Sequence, residues 1–300
     1  MQSQPFQCLR TFNDSDAVEV IAMSPDGSTL FSGGWYRTIK VWNLTNGQLQ
    51  RTLAGHTHVV SALAISPNGQ ILASGSKDET IKLWDLDTGE VRHTIKNYYE
   101  EGRKHIVCLV FSLDGQILYS GSDGGSTRYW DVNRGDILGS LGMASLGSQI
   151  LAMSADGRTL AGTYAGSLTV NNLPQHTRRF KIETGHNTPS LAISPNGETI
   201  FIGDYDDGNI YVCDARQGQE LSRLGGHSGI VTAIAVSPDG KMLASGSGRG
   251  IIKLWELDSQ TEICTLEGHS KDITGLIFSP DNQTLVSSSG DTSIKVWAVR

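Results

Sequence analysis

A four-residue turn of the pattern Ser-Pro-x-Gly, or a close variant of it, recurs along the 300-residue chain at a nearly constant interval. The successive intervals are 42, 46, 42, 40, 43 and 42 residues. A fixed period of this length is the sequence signature of proteins built from stacked copies of one supersecondary unit. The chain is therefore predicted to consist of seven such units. The turn serines are Ser24, Ser66, Ser112, Ser154, Ser194, Ser237 and Ser279.

The most complete copy, GHTHVVSALAISPNGQILASGSKDETIKLWD, runs from Gly55 to Asp85. Its three runs of β-branched and aliphatic residues, 59–65, 70–74 and 80–84, are typical of strands. Ser-Pro-Asn-Gly lies between the first two runs. In this turn proline pre-sets φ, and glycine tolerates the positive φ that a tight turn requires. The unit is therefore predicted to be an antiparallel meander, which cannot bury its apolar side chains alone.

Two further anchors recur in register with the turn. One is a tryptophan at the end of the third strand, and the other is a Gly-His pair before the first strand. In the fourth unit the tryptophan place is held by Asn172, or by Asn171 with a slip of one residue, and in the fifth by Cys213. Together the anchors resemble the WD-repeat (WD40-type) β-propeller family, and the resemblance covers the whole chain. Tryptophan follows the turn serine by eighteen residues at Trp42, Trp84, Trp130, Trp255 and Trp297, and a Gly-His pair ends at His56, His186, His227 and His269.

The resemblance implies an all-β fold, namely a seven-bladed β-propeller of four-stranded antiparallel blades around a central channel. It also implies one domain over residues 1–300. The last unit ends after its third strand, whereas the segment from Phe6 to Phe12 resembles the outer strands that end other units. Residues 1–12 are therefore predicted to be the closing strand of the last blade. This pairing would remove an exposed strand edge.

Composition argues against several other classes of protein. At 38% hydrophobic residues, the chain can bury a large core as one domain. A net charge of −7 argues against a general nucleic-acid or anionic-membrane surface. There is no apolar leader region and no run of about 18 apolar residues. We expect a cytoplasmic, monomeric protein without a cofactor or membrane insertion. Cys-x-x-Cys spacing, which would suggest a zinc site, is absent from Cys8, Cys108, Cys213 and Cys264.

The resemblance also implies a buried hydrogen-bonded set in the complete units. It consists of the Gly-His imidazole, a second-strand serine, a turn aspartate and the third-strand tryptophan. A buried imidazole needs partners on both nitrogens, and an indole N–H needs an acceptor. A Ser-His-Asp catalytic triad is the alternative, but the set occurs twice and ends in a tryptophan instead of an oxyanion hole. The matching residues are His56, Ser74, Asp78 and Trp84 in the second unit and His269, Ser287, Asp291 and Trp297 in the seventh.

Two other motifs suggest ligand sites but lack the required context. Asp206 and Asp207 stand in a turn, where aspartate is common without a bound cation. Residues 247–250 are glycine-rich, yet no Gly-Lys-Ser/Thr follows and no helical pattern begins after them. A phosphate-binding loop is therefore excluded, and no metal or cofactor site is predicted.

Aromatic and basic residues concentrate in loops that the resemblance places on one face of the disc. Aromatic residues and arginine are enriched at interface hot spots. We therefore predict a partner-binding patch centred on Trp35 and Tyr36. The alternative is that Trp35 lies flat over its own blade and Tyr98 packs against a neighbour. The residues of the predicted patch are Trp35, Tyr36, Arg37, Tyr98, Tyr99, Arg103, Lys104, His105, Tyr205 and Arg249, and Tyr164 lies in a corresponding turn.

These features favour a non-catalytic protein–protein interaction scaffold that presents its loop face to a protein or peptide partner. Propellers of other families host hydrolases and dehydrogenases. Here, however, Glu19 is the one carboxylate placed in an inner strand, and a lone acid supports acid–base chemistry poorly. A third alternative is an RNA-binding adaptor that uses Arg103, Lys104 and His105. The acidic net charge weighs against it, so no nucleic-acid partner is expected.

Overall fold

A computed structural model describes residues 6–96, 105–124, 127–141, 150–164, 166–184 and 187–299. Within those ranges the strands form seven four-stranded antiparallel sheets, which are the blades of a ring. No helix in the described ranges is long and apolar enough to cross a membrane. The predicted all-β, seven-bladed propeller is therefore confirmed.

Each of the first six blades uses four consecutive strands, and β1 (Cys8–Asn13) precedes them. Blade one is β2 (Val18–Met23), β3 (Thr29–Gly34), β4 (Thr38–Asn43) and β5 (Leu49–Ala54). Blade two is β6 (Val60–Ile65), β7 (Ile71–Ser76), β8 (Thr80–Asp85) and β9 (Val91–Lys96). Blade three is β10 (Ile106–Phe111), β11 (Ile117–Ser122), β12 (Thr127–Asp131) and β13 (Ile137–Leu141).

The second half of the chain repeats the order. Blade four is β14 (Ile150–Met153), β15 (Thr159–Tyr164), β16 (Ser167–Asn172) and β17 (Thr177–Glu183). Blade five is β18 (Ser190–Ile193), β19 (Thr199–Gly203), β20 (Ile210–Asp214) and β21 (Glu220–Leu224). Blade six is β22 (Val231–Val236), β23 (Met242–Ser247), β24 (Ile252–Glu256) and β25 (Thr261–Leu266). Blade seven contributes β26 (Ile273–Phe278), β27 (Thr284–Ser289) and β28 (Ser293–Ala298).

The first strand closes the ring. β1 pairs antiparallel with β28, so the order of the last sheet is β1-β28-β27-β26. At the same junction Thr274 Oγ1 of β26 donates a hydrogen bond to the carbonyl oxygen of Val18 in β2, at 2.7 Å. The predicted closing strand is confirmed, and it extends to Asn13, one residue beyond the predicted segment.

The Ser-Pro-x-Gly turns join the first and second strands through hydrogen bonds local to each turn. Ser66 Oγ donates to Asn68 Oδ1 at 2.7 Å and accepts the N–H of Ile71 at 2.9 Å. Gly69 has a φ of +73°, a conformation that favours glycine. Because all of these contacts lie within six residues, the sequence of the turn is enough to predict it.

Neighbouring blades approach each other closely at a glycine of the second strand. A Cβ on Gly75 would lie 2.2 Å from Ile106 Cγ2 of the next blade, and one on Gly246 would lie 2.5 Å from Ile273 Cγ2. Beside this contact, Ser61 Oγ donates to the carbonyl oxygen of Ile106 at 2.6 Å. The glycine therefore serves packing between blades, and the inner-strand hydroxyls link one blade to the next.

The apolar cores lie between adjacent blades. One such cluster joins Phe31 and Ile39 of blade one to Leu63, Leu72 and Trp84 of blade two. Alternate residues of a strand point to opposite faces of its sheet, so each blade buries one face against each neighbour. Every blade is thus held by two others, and the loops at its edges project from a rigid frame.

Candidate partner-binding face

One edge of each blade carries two segments: the lead-in loop before the inner strand, and the turn between the second and third strands. Backbone hydrogen bonds join the two segments within a blade. Trp35 N–H donates to Ala17 O at 3.3 Å in blade one, and Lys77 N–H donates to Val59 O at 2.9 Å in blade two. We call this edge of the ring the top face. The residues of the predicted patch belong by sequence to these two kinds of segment.

In blade two the structure brings together the four residues of the implied polar set. His56 Nδ1 donates to Asp78 Oδ2 at 2.8 Å, and His56 Nε2 accepts from Ser74 Oγ at 2.7 Å. Ser74 Oγ in turn accepts the indole N–H of Trp84 at 2.8 Å. Asp78 also accepts the backbone N–H of Thr57 at 2.9 Å. The set therefore ties the lead-in loop to the turn and stiffens the top face at this blade.

Blade seven holds the same arrangement. His269 lies 3.1 Å from Asp291 Oδ2 through Nδ1 and 2.7 Å from Ser287 Oγ through Nε2. Trp297 donates its indole N–H to Ser287 Oγ at 2.8 Å. Burial opposes ionisation of Asp291, but hydrogen bonds from Ser293 and from the Ser270 N–H outweigh it and lower the pKa of Asp291 to about 2.

In blade one the acid and the ring of this set exchange places, an arrangement that the sequence analysis missed. Asp14 stands at the histidine place and Tyr36 at the aspartate place. Ser32 Oγ donates to Asp14 Oδ2 at 3.1 Å and accepts from the Tyr36 hydroxyl at 3.0 Å and the Trp42 indole at 2.9 Å. Lys40 pairs with Asp14. The signal was present, because Asp14 precedes Ser32 by eighteen residues and Tyr36 follows it by four, as in blade two.

This network gives Tyr36 a structural contact as well as a place on the top face. Burial raises the pKa of the Tyr36 hydroxyl well above its usual range, and the charge of Asp14 adds to the effect. The hydroxyl is thus a neutral donor committed to Ser32. Within the predicted centre of the patch, Trp35 is therefore the side chain with the free surface.

Trp35 is 51% exposed and sits where blade one meets blade two. Its indole N–H donates to the carboxylate of Glu19 in the inner strand of its own blade. Lys77 Nζ, from the turn of blade two, lies 5.4 Å from the centre of the Trp35 ring. The ring is thus held at its N–H edge by Glu19 and over one face by Lys77, while half of its surface faces solvent.

The remaining patch residues are distributed around the ring. His105 is paired with Asp123 at 2.9 Å in blade three, and Tyr205 is 47% exposed in the turn of blade five. Arg37 and Arg249 are exposed in the turns of blades one and six. Arg37 shares the turn of Trp35, whereas His105, Tyr205 and Arg249 belong to other blades. Tyr98, Tyr99, Arg103 and Lys104, and the side chain of Tyr164, lie outside the described residues.

Blades four and five lack the tryptophan of the polar set. Strand pairing shows which of the two asparagines of blade four holds the tryptophan place. Leu160 pairs with Asn171 in blade four as Leu72 pairs with Trp84 in blade two. Asn171 therefore holds the tryptophan place, and among the described residues its buried Nδ2 has no hydrogen-bond partner. In blade five Cys213 holds that place, opposite Ile200. The ring is thus unequal, with its complete polar sets on the side away from these two blades.

Blade six keeps the histidine but not the aspartate. His227 Nε2 lies 2.7 Å from Ser245 Oγ, and Trp255 donates to the same oxygen at 2.8 Å. Arg249 stands at the aspartate place and can only donate. Burial lowers the pKa of His227 to about 4, and the charge of Lys253 adds to the effect.

Replacing Arg249 with Asp should raise the pKa of His227, because the carboxylate would accept from Nδ1 as Asp78 does in blade two. In the wild type the folded-state pKa is below the unfolded value of about 6.5. Stability should therefore fall as the pH drops from about 6.5 to about 4, by up to about 1.4 kcal/mol per pH unit. NMR titration of the imidazole and urea melts across this window measure both effects.

Arg249→Ala is the matched control for this prediction. It removes the guanidinium without adding an acceptor, so the pKa of His227 should stay low. Identical titration curves in the aspartate and alanine variants would show that the turn residue does not act on His227.

The polar sets are poorly placed for catalysis. Ser74 is 0% exposed, and its oxygen is occupied by the His56 imidazole and the Trp84 indole. A substrate therefore cannot reach this hydroxyl in the folded blade. In the part of the chain that the structure describes, no group of three or more His, Cys, Asp or Glu side chains is arranged to hold a metal ion.

Comparison with protein families gives a match along most of the chain. The sequence profile of the family described as "WD domain, G-beta repeat" matches residues 6–43, 47–85, 91–131, 176–214, 218–256 and 260–298. The longest unmatched interval, residues 132–175, includes the first three strands of blade four, the blade that lacks both the tryptophan and the turn aspartate.

Curated relatives are similar over shorter segments. The Periodic tryptophan protein 2 homolog of Neurospora crassa is 35% identical over 72 residues, which are 24% of this chain and 8% of that protein. Periodic tryptophan protein 2 of Saccharomyces cerevisiae is 33% identical over 72 residues, with the same coverage of 24% and 8%. Serine-threonine kinase receptor-associated protein of Homo sapiens is 30% identical over 101 residues, 34% of this chain and 29% of that protein. The matched segments thus span less than a third of each relative.

Proposed function

The chain belongs to the WD-repeat family, and from that premise we propose that it is a non-catalytic protein–protein interaction scaffold whose top face receives a protein or peptide partner. The observation that carries the proposal is Trp35, which is 51% exposed at the junction of two blades. Tryptophan is among the residues most enriched at interface hot spots. A large aromatic surface left open on a rigid frame is an expected feature of a docking site.

The contacts of Trp35 make it suited to binding at low entropic cost. The hydrogen bond to Glu19 restrains the indole, and Lys77 lies against the ring at 5.4 Å. A side chain that is already ordered loses little rotamer freedom when a partner covers it. The ring is therefore a preorganised anchor.

The carboxylate of Glu19 is occupied by the indole N–H, and the two cations beside the anchor favour one kind of partner. Lys77 contacts the ring, and Arg37 is exposed two residues after Trp35 in the same turn. A partner segment that places an apolar side chain on the indole and an acidic side chain beside it would satisfy both features. The name of one relative, Serine-threonine kinase receptor-associated protein, describes association with another protein and is consistent with a scaffold role.

Replacing Trp35 with Ala should weaken partner binding strongly and leave the fold intact. Truncation of a hot-spot aromatic costs about 2 kcal/mol or more of binding free energy, or about thirtyfold in affinity. An exposed substitution away from the core changes stability by about 0.5 kcal/mol or less. Affinity purification with mass spectrometry would identify the proteins lost by the variant, and thermal melts would report its stability.

Leu113→Ala is the matched control, because Leu113 is a 60% exposed apolar residue in the turn at the opposite edge of blade three. This variant should retain the partners. If the leucine variant loses them and the Trp35 variant keeps them, the binding surface is the opposite face. A large fall in melting temperature for Trp35→Ala would instead assign the indole a structural role.

A further inference from the structure

Each blade ends in an outer strand whose free edge faces away from the ring. In blade three this strand is β13, the last strand of its sheet. One row of its backbone N–H and C=O groups therefore has no partner strand in the described part of the chain. Proteins commonly protect such an edge with charged side chains, which oppose pairing with a strand of another molecule. The seven outer strands are β1, β5, β9, β13, β17, β21 and β25, and all of them lie within the described ranges.

β13 differs from the other outer strands in charge. Its sequence, Ile-Leu-Gly-Ser-Leu, contains no lysine, arginine, aspartate or glutamate. Each of the other six contains at least one of these residues, such as Arg10 in β1 and Arg51 in β5. A bulge interrupts the pairing of every outer strand, so the bulge does not set β13 apart. The edge of β13 is thus the least protected of the seven.

Two large apolar side chains stand at the start of this edge. Ile137 is 53% exposed and Leu138 is 49% exposed. They follow the turn that joins β12 to β13, at the edge of the blade opposite the top face, and Ser140 is exposed beyond them. The edge therefore presents apolar surface together with free backbone groups. Adjacent exposed apolar side chains of this kind mark interaction sites.

Blade five shows that apolar exposure alone is not the distinguishing feature. Leu221 of β21 is 56% exposed and holds the same place as Leu138, because each is the extra residue of its bulge. In β21, however, Glu220 precedes this leucine and Arg223 follows two residues later. A strand that paired with β21 would take these charges out of water, which costs free energy. Pairing with β13 carries no such cost.

The strand that matches this edge best is a second copy of it. Two identical strands can pair antiparallel about a two-fold axis, the commonest symmetry of soluble oligomers. Each copy brings an uncharged edge, so the pair buries no charge. Ile137 and Leu138 of one copy then cover the same residues of the other.

The rims on either side of β13 do not oppose the approach of a second ring. On β9 of blade two, Arg92 is paired with Asp85 at 2.5 Å. On β17 of blade four, Lys181 is paired with Glu183 at 3.0 Å. Repulsion between two rings at these positions is therefore reduced, because each cation already has an acidic partner in its own ring.

We propose that the edge of β13 is a self-association site, at which two copies of the chain pair antiparallel and join their third blades into one continuous sheet. This departs from the monomer expected from the sequence. The paired segment has 5 residues and is therefore only about 17 Å long. Interfaces below about 1,200 Å² are typical of weak and transient complexes, so the dimer depends on protein concentration. It leaves Trp35 and the top face free.

Sedimentation equilibrium of the full chain over a concentration series tests the proposal. The wild type should shift from monomer to dimer as its concentration rises to about 100 μM. Leu138→Lys puts a charge on the edge, so it should lower the association constant by about tenfold or more and leave the melting temperature unchanged. Leu221→Lys, at the same place in β21, is the matched control and should associate as the wild type does. If Leu138→Lys does not fold, Ile137→Lys makes the same test at the neighbouring residue.

Amide hydrogen exchange separates strand pairing from contact between side chains alone. Those amides of residues 137–141 that point away from β12 should exchange more slowly at the higher concentration, while the amides of β21 should not change. A wild type that stays monomeric throughout the series would leave the edge to a strand of another protein and overturn self-association. A dimer that Leu138→Lys leaves intact, or one without slower exchange at 137–141, would also overturn it.

Discussion

Deletion of residues 1–12 is expected to lower the urea midpoint of the whole protein and to promote aggregation. Phe12 is 4% exposed and stacks on Trp42 of blade one, with ring centres 5.8 Å apart. Truncation of a buried phenylalanine alone costs about 3–5 kcal/mol, which is a large part of the stability of an ordinary domain. The loss also exposes the edge of β28, and an unpaired strand edge can pair with a strand of another molecule.

Other contacts of the closing strand increase the expected loss. Arg10 Nη1 donates to the carbonyl oxygens of Leu44 and Thr45 in blade one, both at 2.5 Å. β1 thus bonds to the last blade and to the first, and its removal affects both sides of the junction. Phe12→Ala should reproduce a large part of the destabilisation. Deletion of residues 1–5, which leaves Cys8–Asn13 in place, is the control and should keep the midpoint. An unchanged midpoint after deletion of residues 1–12 would contradict a closing role for the strand.

The second large effect is expected from Asp78→Ala in blade two. The carboxylate accepts from His56 Nδ1 at 2.8 Å, from the N–H of Thr57 at 2.9 Å, and from the N–H and hydroxyl of Thr80 at 3.0 and 2.6 Å. The variant leaves these four donors without their acceptor, and one of them belongs to the buried ring of His56. A buried donor left unpaired costs about 1–3 kcal/mol, so a loss of about 3 kcal/mol is expected in urea melts.

The ionisation of Asp78 also makes its contribution to stability depend on pH. Burial opposes the charged form, but hydrogen bonds from His56 and Thr80 outweigh it and hold the pKa of Asp78 well below its usual range. A carboxyl with a depressed folded-state pKa stabilises the fold above its unfolded pKa, and that stability is lost as the pH falls below about 4. Asp78→Ala should therefore flatten the stability curve on the acid side.

Asp87→Ala provides the comparison for this effect, because Asp87 is an exposed aspartate in the same blade. It should change the midpoint little and leave the pH profile as it is. If the two variants have the same midpoint at neutral pH, the polar set of blade two does not stabilise the fold measurably.

Much of the fold could be predicted from the sequence because its signals are local. The turn at Ser66 is closed by bonds within six residues, and the same residues recur at a constant period. Closure by the N-terminal strand followed from the missing fourth strand of the last unit. The polar sets of blades two and seven followed from the family pattern, since their members stand at fixed spacings along the chain.

The candidate site was less accessible to sequence reasoning. Trp35 and Tyr36 are adjacent in the sequence, yet one is half exposed and the other donates to Ser32 inside the blade. The exchange of acid and ring between Asp14 and Tyr36 has a signal in their spacings to Ser32, but only the structure shows that both side chains meet at that serine oxygen. The alternatives Asn171 and Asn172 were separated only by strand pairing.

By itself, the sequence determined the repeat number, the strand and turn pattern and the way the ring closes, because each depends on residues close in the chain or on a count of strands. Tertiary structure alone decided that Lys77 lies against the Trp35 ring and that Phe12 of the last blade stacks on Trp42 of blade one. Both facts depend on side chains from two different blades. Their distance is set by how the blades twist and pack around the ring, and no spacing along the chain encodes it.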